Sequence, residues 1–428
     1  MLPVDPVTLS TGLLLTGGGA RAAYQVGVLQ AIADIRKSAG ALGQPNPFPV
    51  ITGTSAGAIN AAALACGADD FDGAVRRIVD VWKNFHTDQV YRADSLYPLG
   101  IKVRWMRLLR MGWWISRWRR TKPRSLLDNA PLHAMLTQLV PLQRLPSLVR
   151  KGHLQALAVS TSSYSSGEHV TFFQGDERLT PWIRSGRVSV RQDITHAHLL
   201  ASSAIPFVFP ASALHINGQD EYFGDGSMRQ SAPLAPAIHL GASRILVVGA
   251  GRTRDPRAET FLPTARSYPS LAQIAGHALT SIFLDSLTVD IERVRRINQT
   301  LSLVPPEARK ASALRDVQLL VIAPSQRIDV IAARHADALP PAVRALLGGF
   351  GDLPPSPTDF KGATLASYLL FESSFTAELM ALGYADAKKQ HGEICSFFGW
   401  TDGRAPQPLT ETTQHPRIDR RRDPLRLR

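Results

Sequence analysis

Residues 50–66, VITGTSAGAINAAALAC, decide the fold. Val50–Thr52 is a short apolar run of the kind that forms a buried strand. Ala56–Cys66 is almost wholly small and apolar, as a buried helix would be. Between them Gly53-Thr54-Ser55-Ala56-Gly57 matches G-x-S-x-G. A serine on a tight strand-to-helix turn takes strained backbone angles and needs small neighbours. The turn thrusts its hydroxyl into the open, and the following helix N-terminus sets N–H groups and a positive dipole end beside it. Ser55 is the candidate nucleophile, with Gly53 and Gly57 the glycines of its elbow. A Gly/Ser-rich turn without chemistry is the competing reading.

Upstream, Thr11–Thr16 reads as a first buried strand, followed at once by Gly17-Gly18-Gly19. Ala20–Ala33 carries a helical apolar stripe through Val26, Leu29 and Ala33, and a Pro/Gly loop runs from Gly40 to Pro49. Strand–helix–strand–helix is the opening of a parallel α/β sheet. Downstream, strands are expected at Leu154–Thr161, His169–Phe173, Tyr222–Phe223, Arg244–Val248 and Gln318–Ile322. The His169 run can pair with its predecessor through Ser165-Ser166-Gly167. Helical patterns cover Ser270–Thr300 and Lys361–Ala381, with Gly383 as the stop of the second.

The glycine run admits three readings. A phosphate-binding P-loop needs a GK[ST] ending, which is missing. Gly17, Gly19 and Ala22 fit a relaxed dinucleotide fingerprint, but the acidic residue expected about 20 positions on is absent: Asp34 lies within the helical run and the next acid is Asp69. The third reading is an oxyanion hole, in which bare N–H groups of Gly17, Gly18 and Gly19 converge on a developing negative charge. The serine turn on the next strand favours it. Arg21 then either braces the loop or draws in an anionic head group.

A serine hydroxyl needs a base. Among twelve histidines, His239 and His277 stand in suitable chain order for a Ser-His-Asp triad. Each lies in an apolar, helix-like stretch where a packed role is ordinary. Asp225 is the alternative. In Phe223-Gly224-Asp225-Gly226-Ser227, glycines after a short strand can present a carboxylate at a defined point, although Asp-Gly is also a common turn pair.

Taken together and in this order, Gly17-Gly18-Gly19-Ala20-Arg21, Gly53–Gly57 and Asp225-Gly226-Ser227 resemble the patatin-like phospholipase family. The stretch Ala201–Pro210 is similar to the family's segment before its acid. The resemblance covers roughly residues 8–250. It implies an α/β fold, a three-layer α/β/α sandwich with a mostly parallel central sheet. It implies a Ser55–Asp225 dyad without histidine, an oxyanion hole at the glycine loop, and hydrolysis of lipid acyl esters with no metal or other cofactor. Two positions depart from the family pattern: Ser227 where Gly or Ala is usual, and Ala22 where many members have Gly. Two other functions stay open: a soluble Ser-His-Asp carboxylesterase, and a non-catalytic lipid-binding α/β protein.

The remaining expectations come from composition. The chain has 428 residues, is 44% hydrophobic and carries a net charge of +13. That is ample for a large core, and the surplus favours anionic partners. Two cysteines cannot build a disulfide framework; they fit a reducing, cytoplasmic setting or an exported protein that does not rely on bridges. Neither a secretory leader nor a membrane-spanning run is visible. Between Ile101 and Arg124 stand nine Lys/Arg, no acid, and four of the seven tryptophans: Trp105, Trp113, Trp114 and Trp118. This mix suits an interfacial segment on anionic lipid, or tryptophans packed on the core with solvated arginines, the enzyme motifs weighing against nucleic acid as the partner. Residues 8–250 are expected to form the catalytic core with this insert at 101–124. Residues 251–400 are expected as a helical extension packed on it, and 401–428 as a basic, disordered tail.

Overall fold

Strand β1 (Ser10–Leu15) lies at the middle of the sheet, between β2 (Val50–Thr54) and β9 (Ala242–Val248), and is parallel to both. The computed structural model describes residues 10–92, 125–216, 218–249, 251, 286–310, 312, 314–350 and 363–401. The tryptophan-rich segment 101–124, His277 and the tail beyond Thr401 lie outside these residues.

β3 (Ala156–Ser163) extends the parallel run beyond β2, and β10 (Gln318–Ile322) extends it beyond β9. The order β10-β9-β1-β2-β3 is parallel throughout. Next come β4 (His169–Gly175), antiparallel to β3 as the turn at 165–167 predicts, and β6 (Arg187–Arg191) with β5 (Ile183–Arg184). A hairpin of β7 (Ser212–Ile216) and β8 (Gln219–Asp225) joins through β8 to the last residues of β3.

The sheet is covered on both faces, as its continuous apolar strands require. Leu13 and Leu15 enter one core with α1 (Ala23–Ser38), α2 (Ala56–Ala65) and α3 (Phe71–Lys83). Leu14 enters the other, with Leu234, Leu240 and Ile291. This is the three-layer α/β/α arrangement that the patatin-like resemblance implies, opening with the parallel strands expected from residues 11–66.

One helical expectation changes. Gly383 does not end a helix: it lies inside the helix Ser373–Lys389, and the pattern begun near 361 breaks between Ala366–Leu369 and Ser373. Gly383 is there for closeness. A Cβ on it would collide with the carbonyl oxygen of Tyr24, and one on Gly27 with that of Met380. The two glycines let α1 and the 373–389 helix approach backbone to backbone. The Ser270–Thr300 pattern is seen from residue 286 onward, as a helix over Ser286–Leu303; its residues 270–285 lie outside the described residues.

Candidate active site

Ser55 stands between β2 and α2 with φ 56° and ψ −133°, a conformation costly for a residue with a Cβ. The surroundings over-determine it. A Cβ on Gly53 would lie 2.5 Å from Gly57 O and 2.6 Å from Ala58 Cα. One on Gly57 would run into the carbonyl oxygens of Leu15 and Thr16 at the end of β1. The Ser55 amide donates to Ser202 Oγ at 2.9 Å, and Ser202 Oγ donates to Ser160 O at 2.7 Å. Ser202 lies in the stretch Ala201–Pro210, whose sequence alone does not mark it as a partner of the elbow.

Asp225 closes β8 and is fully buried. Its amide donates to Ala204 O at 3.0 Å, and its Oδ1 accepts from the Ser227 amide at 2.9 Å. Oδ2 has no partner at hydrogen-bonding distance. Burial pushes the carboxyl up to about 6, against the pull of the Ser55 hydroxyl and of the Ser227 amide and hydroxyl. Ser55 follows β2 where Thr54 pairs with Ser160, and Asp225 ends β8 where it pairs with Thr161, so the two residues are neighbours along β3. Gln230, just beyond the acid's turn, donates from Nε2 to Thr54 Oγ1 at 2.9 Å and ties that turn to the end of β2.

The glycine loop leaves β1 beside the elbow. Gly19 has φ 55°, and a Cβ there would strike Tyr368 O. Among the described residues, no protein acceptor takes the amides of Gly17, Gly18 or Gly19. Buried backbone donors without a partner are rare in folded proteins, and of the three residues Gly19 lines the apolar cavity at Ser55. Arg21 is buried, unlike a surface arginine. Its Nε donates to Ser367 Oγ at 2.8 Å, and its guanidinium lies 4.0 Å over the Tyr368 ring. These contacts tie the loop's end to residues some 346 positions later in the chain.

An apolar cavity of about 320 Å³ opens on Ser55 and Gly19, at the lower end of the usual range for small-molecule sites. α2, α3 and the helix Ala130–Leu139 line it. Beneath it a buried polar chain couples the walls: Trp82 Nε1 donates to Asn60 Oδ1 at 2.9 Å, Asn60 Nδ2 to Gln25 Oε1 at 3.2 Å, and Gln25 Nε2 to Thr16 O at 2.7 Å. Nothing in the local sequence flags Asn60 or Gln25. No histidine lines the cavity among the described residues. His239 instead stacks on Trp182 at 4.8 Å in the core on the other face of the sheet, where burial and the nearby Arg184, Arg187 and Arg315 push it down to about 4.

No curated protein matches the sequence. Among solved structures, human GIVD cytosolic phospholipase A2 is similar over 92% of this chain and 61% of its own, with 11% identity and a TM-score of 0.40. The same enzyme in complex with a methyl γ-linolenyl fluorophosphonate inhibitor gives 91% and 59%, 14% identity and 0.38. VipD from Legionella pneumophila gives 87% and 67%, 14% identity and 0.26. The chain thus spans about three fifths of the human enzyme's length. The family model for patatin-like phospholipase matches residues 13–238, more than half of the chain and all three motif segments; the chain belongs to the patatin-like phospholipase family.

Proposed function

We propose that the chain is a lipid acyl hydrolase of phospholipase A or lysophospholipase type, acting through Ser55 and Asp225. One observation carries the reading. A strained serine faces both an apolar cavity and a buried carboxyl whose free oxygen is held near the pKa a base needs at neutral pH.

In this mechanism ionised Asp225 takes the Ser55 proton as Oγ attacks the acyl carbonyl carbon. The carbonyl oxygen gains the charge, and the unpartnered amides of Gly17, Gly18 and Gly19 receive it. Collapse expels the alcohol, which leaves with the proton from Asp225. Water then attacks the acyl-enzyme, again losing its proton to Asp225, and the fatty acid departs as Ser55 is restored. The absence of histidine from the described cavity lining weighs against the triad reading. Among the described residues, no helix is long and apolar enough to cross a membrane. The segment 101–124 is proposed as a peripheral contact with anionic lipid. Its flanks meet where Arg92 bridges Asp128, and the neighbouring Tyr91 ring lies 6.1 Å from that of Phe209, which lines the cavity. Phe207, 86% exposed at φ 65°, adds an outward aromatic where its carbonyl oxygen accepts from the Leu126 amide.

Hydrolysis of a p-nitrophenyl acyl ester by the wild type, Ser55→Ala and Asp225→Ala tests the reading. Loss in both variants is expected. Full activity in Ser55→Ala overturns it, and activity that survives Asp225→Ala but not the loss of one histidine replaces the dyad with a triad.

A further inference from the structure

One helix runs along the cavity at Ser55. Its floor is α2: Ser55, Ile59, Ala63 and Cys66 line it in turn, at the spacing of a single helical face. α3 runs back along this floor. Trp82 bonds Asn60 toward the serine end, whereas a Cβ on Gly67 at the other end would meet Ala74 Cβ at 2.5 Å and Arg77 Nη2 at 2.8 Å. The 130–139 helix supplies the opposite wall, and the chain after it reaches Arg144.

The cavity is apolar along its middle and polar at its far end. Arg77 and Arg144 line that end beside Cys66 and Gly67. Arg144 pairs with Asp69 at 2.7 Å, and Arg77 lies 4.0 Å from Asp70. Both arginine side chains reach solvent, at 42% and 60% exposure. A hydrocarbon terminus advancing past Cys66 would meet Arg77 and Arg144 and strip water from their charged groups.

We propose that α2 is an acyl-chain ruler. The chain esterified at Ser55 lies along α2 and ends at Cys66 and Gly67. Ala63 and Cys66 then set the acyl length, and Arg77 with Arg144 closes the measure. The proposal rests on the hydrolase reading above and adds the substrate's chain length to it. Ser55 and Cys66 cap the two ends of α2. Eleven residues at 1.5 Å each give about 16 Å. A saturated chain of 1.5 Å carbon–carbon bonds at near-tetrahedral angles advances about 1.25 Å per carbon. The measure therefore holds about 12 to 14 carbons.

The test is kcat/KM across p-nitrophenyl esters from butanoyl to octadecanoyl. In the wild type it should peak near dodecanoyl or tetradecanoyl and fall at octadecanoyl. Ala63→Phe fills the floor two turns beyond Ser55. It should move the peak to octanoyl or decanoyl and lower the dodecanoyl-to-butanoyl ratio by about tenfold or more. Ala63→Leu, a smaller step that guards against misfolding, should shift the ratio the same way by less. In a Ser55→Ala background, laurate displacement of a fluorescent fatty acid should weaken on adding Ala63→Phe. Unchanged ratios and unchanged laurate binding in a folded Ala63→Phe protein overturn the ruler and leave the hydrolase reading standing. If the wild type cleaves no ester yet laurate binding still depends on residue 63, the hydrolase reading falls and the chain site along α2 stands.

Discussion

Ser55 and Asp225 meet because they follow and close two strands that share one edge of a third. β2 holds that edge of β3 as far as the pairing of Thr54 with Ser160, and β8 takes it over where Asp225 pairs with Thr161. The elbow and the carboxyl are thus delivered by backbone pairing within one sheet. Such placement removes the positional freedom that would otherwise have to be lost on reaching the transition state.

The first prediction concerns pH. Asp225 accepts a proton only when ionised, and burial pushes its carboxyl up to about 6. kcat/KM should rise as pH climbs through about 6 and then level off. Asp225→Asn should lower the plateau by about 10²–10⁴-fold, the usual contribution of a general base. A pH–rate profile of the wild type checks this, and an inflection that persists unchanged in Asp225→Asn would assign it to another group.

Stability should move the opposite way. The folded pKa of Asp225 lies above its unfolded value, so ionisation favours the unfolded chain. The penalty is absent below the ordinary carboxyl range, grows as pH rises toward 6 and is complete above it. Asn at 225 keeps an acceptor for the Ser227 amide and carries no charge. Asp225→Asn should therefore stabilise the fold at pH 8 by on the order of 2 kcal/mol, with little gain near pH 4. Thermal melts at the two pH values decide it; an equal change at both would refute the assignment to a buried charge.

Much of this site is legible from residues 11–66 because strand, glycine run and elbow are contiguous and each glycine has a steric task. The acid was harder to find. An Asp-Gly pair looks the same whether it ends a solvent-facing hairpin or a strand against the nucleophile, and the edge-sharing of β2 and β8 involves residues more than 160 positions apart. Gly383 misled for a similar reason: a glycine that lets two helices touch and one that ends a helix carry the same letter. Ser202, Asn60 and Gln25 gave no signal, since their roles come from partners brought in by the fold.

The α1 crossing offers a third prediction. Gly27→Ala and Gly383→Ala each place a methyl against backbone, not against a side chain that can move. Either should cost about 2–4 kcal/mol and lower Tm by several degrees. Chemical denaturation measures it, and a change under about 0.5 kcal/mol would mean the helices separate at little cost.

Arg21 distinguishes bracing from recognition. It is buried, bonded to Ser367 and stacked on Tyr368, whose carbonyl oxygen packs on Gly19. Lysine cannot reproduce the stacked, forked geometry. Arg21→Lys should cost about 2 kcal/mol of stability and lower kcat by slackening the glycine loop, with KM for anionic and zwitterionic lipids affected alike. A selective rise in KM for anionic lipid would instead make Arg21 a head-group contact.

The last prediction concerns the segment 101–124. Nine basic residues and four tryptophans in one acid-free stretch suit a surface where cations meet lipid phosphates and indoles sit at the head-group level. Each basic group near such a surface contributes about 1 kcal/mol. The Trp113→Ala, Trp114→Ala double variant should bind anionic vesicles more weakly than the wild type in co-sedimentation. Raising the salt should weaken the wild type, because surface charge attraction is screened while indole burial is not. Butanoyl ester hydrolysis free in solution separates membrane contact from the chemistry and should change far less than hydrolysis of vesicle lipid. Vesicle binding equal to the wild type, at low and high salt alike, would remove the segment from the membrane and leave its tryptophans to packing.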